Sequence, residues 1–258
     1  MTVSGNTPLQ LHRPKIGIVY YSFSGQSLGL VHHVAEGIRH AGCIVVVERL
    51  QPVEPLRFPL PSIAATIRLM VVTLFRKRVP ITALPLQEIQ DADLLLLAGP
   101  TWSYNPSGPV LSLIDRYERK LFKQKTVLPL ISCRGYWRLH WFGLRRLLEN
   151  CGARVPNCMV FTHPSPEPWR TIGVFLKIAG RTPETSRFLG KHYPRFGHTK
   201  RQRDEAYRMG IEIGVAVSNN VPMEHLDFRT SIAMPPAFGK DIRHQRRLRR
   251  IREQKKKK

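Results

Sequence analysis

The sequence predicts an open, mostly parallel α/β sheet with helices on both faces. Three observations carry that expectation. Short apolar runs recur at 16–21 (IGIVYY), 43–50 (CIVVVERL), 93–98 (DLLLLA), 126–132 (TVLPLIS) and 154–161, with the length and composition of buried parallel strands. Segments with apolar residues at helical spacing lie between them, the alternation that right-handed crossovers require. Three of the strands end in loops of unusual chemistry, at the sheet edge where ligands sit in such folds.

The first unit is the most informative. The run 16–21 stops in small hydroxylated residues, Ser22, Ser24, Gly25 and Ser27, and Leu28, Val31, Val34, Ala35 and Ile38 then recur on one helical face up to a stop at Gly42. A strand that ends in Ser and Gly and opens a helix suits an anionic phosphate. The first helical N–H groups have no intrahelical partner, and the helix dipole favours negative charge there. The strand at 43–50 completes a βαβ start.

Residues 51–61 are proline-rich loop. Ser62 is a plausible helix cap, with Ile63, Ile67, Met70, Val71 and Leu74 on one face and Arg76, Lys77 and Arg78 after it. At 1.5 Å per residue its apolar part is about 20 Å long, too short to cross a bilayer. The strand at 93–98 opens into Gly99, Pro100, Thr101, Trp102, Ser103, Tyr104, Asn105 and Pro106. Ser107 then caps a helix with Pro109 in its first turn. The strand at 126–132 ends in Cys133, Arg134, Gly135, Tyr136 and Trp137, before a helix that turns Leu144, Leu147, Leu148 and Cys151 inward and stops at Gly152. A fifth strand is expected at 154–161. In the irregular region 162–198, Trp169, Ile172, Phe175, Leu176 and Ala179 form an apolar face, and Arg170, Lys177 and Arg181 are expected to lie away from it. The last helix, about 200–219, turns Ala206, Met209, Ile213 and Val217 inward. The expected organisation is an extension (1–14), one domain (15–219) with insertions at about 51–90 and 162–198, and a basic tail (220–258) disordered at its end.

The loops define the expected ligand. One suits phosphate, and the other two bring Trp102, Tyr104, Tyr136 and Trp137, which suit a flat aromatic ring. Phosphate and flat ring together mean a nucleotide or flavin mononucleotide. No P-loop motif occurs, the ten histidines form no ligand cluster, and the four cysteines have neither metal-ligand spacing nor a disulfide framework, so no metal is expected.

These residues resemble the flavodoxin superfamily. Its phosphate loop, Thr/Ser-x-Thr/Ser-Gly-x-Thr/Ser, is matched by Ser22, Phe23, Ser24, Gly25, Gln26 and Ser27 at every specified position. The resemblance implies a flavodoxin-like five-stranded sheet binding FMN non-covalently. Pro100, Thr101, Trp102, Ser103, Tyr104 and Asn105 would form the second ring-bordering loop, and Cys133, Arg134, Gly135, Tyr136 and Trp137 the third. The Phe58–Pro59 neighbourhood, the Trp102 to Ser107 loop and the Ser132 to Trp137 segment further resemble a flavodoxin-like subgroup found with dialkylresorcinol and aryl-polyene synthesis, labelled dialkylresorcinol condensing enzyme. Membership would imply an oxidoreductase acting on a cyclic, lipid-tailed substrate. An electron carrier, or a binding module without flavin, are the alternatives.

The charge departs from an acidic flavodoxin. The chain has 258 residues with 41 Lys plus Arg against 18 Asp plus Glu, a net of +23, and removing 240–258 still leaves +14. A cation such as Arg134 near the ring would stabilise an anionic reduced flavin and raise its potential. The basic surface also attracts anionic partners. The apolar segments 63–74 and 169–179 and the tail are therefore candidates for an anionic membrane surface, with nucleic acid the lesser expectation and a homodimer contact or a lid over the flavin site the competing uses of the two segments. No signal-peptide core and no spanning helix is read, so the expected location is cytoplasmic, with peripheral association on the inner face of the membrane.

Overall fold

A computed structural model describes residues 13–236. Its core is a parallel sheet of β1 (Lys15–Tyr20), β2 (Ile44–Arg49), β3 (Leu94–Trp102), β5 (Val127–Cys133) and β6 (Met159–Thr162), in the order β2-β1-β3-β5-β6. A two-residue strand, β4 (Asn105–Pro106), folds back antiparallel on the end of β3. The α/β expectation therefore holds. The order reverses between β1 and β3, so the crevice of this doubly wound sheet lies at their carboxyl ends.

Alternation within the strands divides the core into two layers. Ile16, Ile18, Leu94, Leu96, Leu128 and Leu130 face α1 (Gln26–His40) and α7 (Lys200–Ser218). Val19, Leu95, Leu97, Val127 and Ile131 face α4 (Gly108–Phe122) and α5 (Trp137–Asn150). The α1–α7 contact is unusually close. A Cβ at Gly37 would lie 2.1 Å from the Tyr207 carbonyl oxygen, and one at Gly210 would lie 2.3 Å from that of Val34. Only glycine at both positions lets the two backbones meet.

The insertions supply α2 (Ile63–Leu74), the short α3 (Leu86–Gln90) and α6 (Trp169–Ile178). Ser62 caps α2 by accepting a hydrogen bond from the Ala65 N–H at 3.1 Å.

Several expectations need correction. The strand expected at 154–161 is confined to Met159–Thr162. Pro156 has no N–H for the ladder, and the Asn157 side chain donates instead to the Met223 and Leu226 carbonyls. The strand expected at 43–50 is an edge strand with half-exposed residues rather than a buried one. The expected loop 99–106 is largely strand, because Thr101 and Trp102 pair with Pro106 and Asn105. Arg170 does not lie on the outer side of its helix but is 1% exposed. Residues 220–236, expected to begin the tail, complete the core: Phe228 and Ala233 are buried, and the Ala233 carbonyl accepts from the Thr162 N–H. The remaining tail and most of the N-terminal extension lie outside the described residues.

Candidate functional site

The loop after β1 is built to leave a helix terminus open. Ser22 is buried, and its hydroxyl accepts from the Leu28 N–H at 3.2 Å, which fastens the loop to the first turn of α1. Gly25 occupies the N-cap with φ of 83° and offers no side-chain cap, and the first turn carries no acid. The N–H groups of the 15-residue helix that precede Leu28, those of Gln26 and Ser27, thus remain for a ligand. Ser24, Gln26 and Ser27 line a cavity at that end.

The far walls of the cavity are Thr101 and Trp102 from β3 and Ser132, Cys133 and Arg134 from the end of β5. A chain of rings closes its front. Trp102 meets Phe23 edge-on at 5.6 Å, Phe23 meets Phe58 at 5.3 Å, and Phe58 stacks on Phe196 at 5.8 Å. Val174 and Ile178 of α6 add to this roof, so both insertions contribute to it.

Three buried histidines organise the walls. His140 on α5 lies 2.7 Å through Nδ1 from the Thr101 hydroxyl. His198, just before α7, lies 2.9 Å through Nε2 from the Ser132 hydroxyl. His163 follows β6 and stacks on Tyr193 with centroids 4.9 Å apart. Burial lowers the pKa of His140 and His163 to about 3 and of His198 to about 4, so all three are neutral at pH 7. The Nδ1 of neutral His163 accepts from the Ser165 N–H at 3.2 Å, which places its proton on Nε2. That Nε2 has no partner among the described residues, and His163 lines the cavity.

Behind the third loop lies Arg170. Its Nε donates to the Ser165 carbonyl at 2.7 Å and its Nη1 to the Arg134 carbonyl at 2.6 Å. The guanidinium occupies the space a side chain at Gly135 would need, 2.5 Å from its Cβ position. Burial pushes the Cys133 thiol up to about 12, against the pull of Arg170, so it stays protonated.

The structure therefore brings Phe23, Ser24, Gln26, Ser27, Pro100, Thr101, Trp102, Cys133 and Arg134 to one cavity. Ser22 and Gly25 shape its loop. The other expected residues sit elsewhere. Ser103 and Tyr104 have φ of 43° and 70°, and this turn directs Tyr104 onto Tyr136 at 5.6 Å. Tyr104, Gly135, Tyr136 and Trp137 line a separate outward groove. Asn105 is a bracket: its amide donates to the Thr73, Leu74 and Ser103 carbonyls, and its oxygen accepts from Arg76. Sequence reasoning missed His140, His163, His198 and Arg170. Each is brought in by packing between distant segments, which no local spacing signals.

A second cleft runs from the same walls between α2 and α6. Phe23, Thr101, Trp102, Arg134, Val174 and Ile178 border both spaces, and Leu69, Met70 and Phe175 extend the second one outward. Among the described residues no group of His, Cys, Asp or Glu could hold a metal ion. No described helix is long and apolar enough to cross a membrane.

No curated protein sequence matches. Among solved structures, a flavodoxin from the domain Archaea is 14% identical, with a TM-score of 0.47 over 79% of this chain and 98% of its own. A flavoprotein from Bacteroides eggerthii is 14% identical, with a TM-score of 0.46 over 65% of this chain and 99% of its own. A flavoprotein in complex with FMN from Lactobacillus acidophilus is 15% identical, with a TM-score of 0.41 over 56% and 91%. The family model described as NADPH-dependent FMN reductase matches residues 14–164, from the start of β1 to just beyond β6. That segment contains every described strand of the sheet and the loop after β1, and the chain belongs to the NADPH-dependent FMN reductase family, with a flavodoxin-like fold and FMN as its cofactor.

Proposed function

We propose that the chain is an FMN-dependent oxidoreductase acting on a hydrophobic, ring-containing substrate with a lipid tail, of the dialkylresorcinol or aryl-polyene type. The observation that carries it is the apolar cleft between α2 and α6, which shares Phe23, Trp102 and Arg134 with the cavity at the strand ends.

The residues present fit FMN on two counts. The N-cap of α1, Gly25, offers no side chain, the only side-chain acceptor on the first turn among the described residues is Ser22 at the Leu28 N–H, and the turn is free of acids. The His163 N–H, buried and without a partner among the described residues, belongs to a side chain that lines the same cavity. Ser24, Ser27 and the first N–H groups of α1 would hold the phosphate, with Trp102 and the backbone at Cys133 and Arg134 beside the ring. FMN bound there supplies electron transfer from a nicotinamide donor to an organic acceptor. The protein's part is to exclude water with the Phe23, Phe58 and Phe196 rings, to fix the third loop through Arg170, and to set the local potential through Arg134. A lipid tail would lie along Leu69, Met70 and Phe175.

The test is the spectrum of the purified protein, its reconstitution with FMN, and NADPH oxidation with a hydrophobic quinone or enone beside a polar one. The expected result is FMN uptake and turnover favouring the hydrophobic acceptor at least tenfold. Protein that cannot take up FMN, or that reduces both acceptors alike, contradicts the proposal.

A further inference from the structure

Helix α2 carries its apolar stripe outward. Its buried residues are Thr66 and Thr73, whereas Ile63, Ile67, Met70, Val71 and Leu74 are 39–51% exposed and Phe75 at its end is 79% exposed. Thr73 spends its hydroxyl on the Ser103 hydroxyl and the Leu69 carbonyl, so the inward face is satisfied by hydrogen bonds. A surface helix normally buries its apolar stripe. Here that stripe points away from the sheet.

The stripe continues onto a second element. On the first turns of α5, Leu139 and Phe142 are 65% and 64% exposed. The two helices are tied at this end: Arg76, after α2, donates to Asn105, and its guanidinium lies 3.1 Å from the Cβ position of Gly143. The Tyr104 and Tyr136 rings, both exposed, join the same region at 5.6 Å.

Charge selects the occupant. From Pro55 to Gln87 the chain carries five Lys or Arg and no acid, and from Arg134 to Leu148 it carries four and none. Arg78 and Arg145 are paired with Asp115 and Glu149, while Arg68, Lys77, Arg138 and Arg146 are exposed and without a carboxylate partner among the described residues. A protein of net charge +23 disfavours a second copy of the same cationic face. Apolar side chains amid unpaired cations match an anionic lipid surface, and a 12-residue helix of about 18 Å lies within that surface rather than across it.

We propose that α2 and the first turns of α5 dock the protein on an anionic lipid bilayer. Phe75, Val71, Leu74, Leu139 and Phe142 enter the headgroup layer, and Arg68, Lys77, Arg138 and Arg146 meet lipid phosphates. Met70 belongs both to the docking stripe and to the cleft, so docking sets the mouth of the cleft against the lipid. The docking surface does not depend on which substrate the cleft takes.

The experiment is flotation of the full chain with phosphatidylcholine vesicles, with and without about 30% phosphatidylglycerol, at about 0.1 M salt. Two variants are compared with the parent: Phe75→Ser/Leu139→Ser/Phe142→Ser, and Arg68→Gln/Lys77→Gln/Arg138→Gln/Arg146→Gln. All seven sites are exposed, and FMN uptake reports separately that the fold and flavin site persist. The expected result is binding to the anionic vesicles, weakened about tenfold or more in each variant, with parent and variants monomeric by light scattering. Three outcomes overturn the proposal: equal binding to neutral and anionic vesicles; variants that float like the parent, which would leave the basic C-terminal residues as sole anchor; or a parent dimer that the serine variant splits.

Discussion

The hydroxyl of Thr101 and Nδ1 of His140 lie 2.7 Å apart, joining the end of β3 to the interior of α5. Thr101 lines the cavity, whereas His140 is buried behind it and held neutral. The histidine is thus a positioning residue. His140→Leu is expected to cost about 1–3 kcal/mol of stability through the orphaned hydroxyl and to weaken FMN binding. Urea unfolding with a parallel FMN fluorescence titration checks both effects, and an unchanged urea midpoint would refute the first.

Acid sensitivity follows from the same burial. An unfolded histidine titrates at about 6.5, while folding holds His140 and His163 at about 3 and His198 at about 4. As pH falls below 6.5 the unfolded chain gains protons that the folded one refuses. Stability is therefore full above that value and is lost progressively, down to about 4 for His198 and about 3 for the other two. The slope is about 1.4 kcal/mol per pH unit for each histidine. The urea midpoint should fall steeply between pH 6.5 and 5; a flat profile over that interval would mean that the histidines are hydrated.

His163 offers a test of the ligand's position. His163→Phe keeps the stack on Tyr193 but removes the Nε2 proton donor. FMN affinity is expected to drop about 5- to 30-fold, the worth of one hydrogen bond of roughly 1–2 kcal/mol. His163→Gln, which retains a donor, should recover part of it. Fluorescence titration of FMN reads this, and equal affinity in the phenylalanine variant would place the donor away from the ligand.

Arg170 holds two carbonyls, those of Ser165 and Arg134, with no carboxylate within 4.0 Å among the described residues. Its value is geometric, because burial of the charge itself is unfavourable. Arg170→Ala is expected to lose about 3 kcal/mol and to loosen the third loop. Arg170→Lys should recover a part only, since an ammonium lacks the planar fork that spans both carbonyls. Thermal unfolding and FMN affinity measured together separate the two effects.

The sheet was legible because its strands are apolar runs whose composition does not depend on distant partners. The run at 94–97 is four leucines, and any parallel sheet would bury them. The strand–loop–helix geometry at Ser22, Ser24, Gly25 and Ser27 was legible because it is set by local backbone preferences. Edges were harder to read: β6 is cut short by Pro156, which lacks an N–H, and by Asn157, whose side chain donates to carbonyls more than 60 positions away. The roles of Arg170 and the three histidines were invisible for the same reason. Helical periodicity placed Arg170 outside, but the loop carbonyl that receives it lies 36 positions earlier. Tyr104 and Tyr136 looked suited to a flat ring until the left-handed turn at Ser103 and Tyr104 directed them to each other.

The contact of Gly37 with Gly210 also bears on the order of events at the ribosome. Residues 14–164 hold every described strand and the loop after β1, yet one face of that sheet is covered only in part by α1, the rest by α7 and the segment after it. A nascent chain that has emerged only to β6 leaves Leu128, Leu130 and Met159 bare, and α1 without the helix it seats against. Flavin capture is thus expected to wait for synthesis of α7, making the late part of the chain the step that commits the early loop to its cofactor.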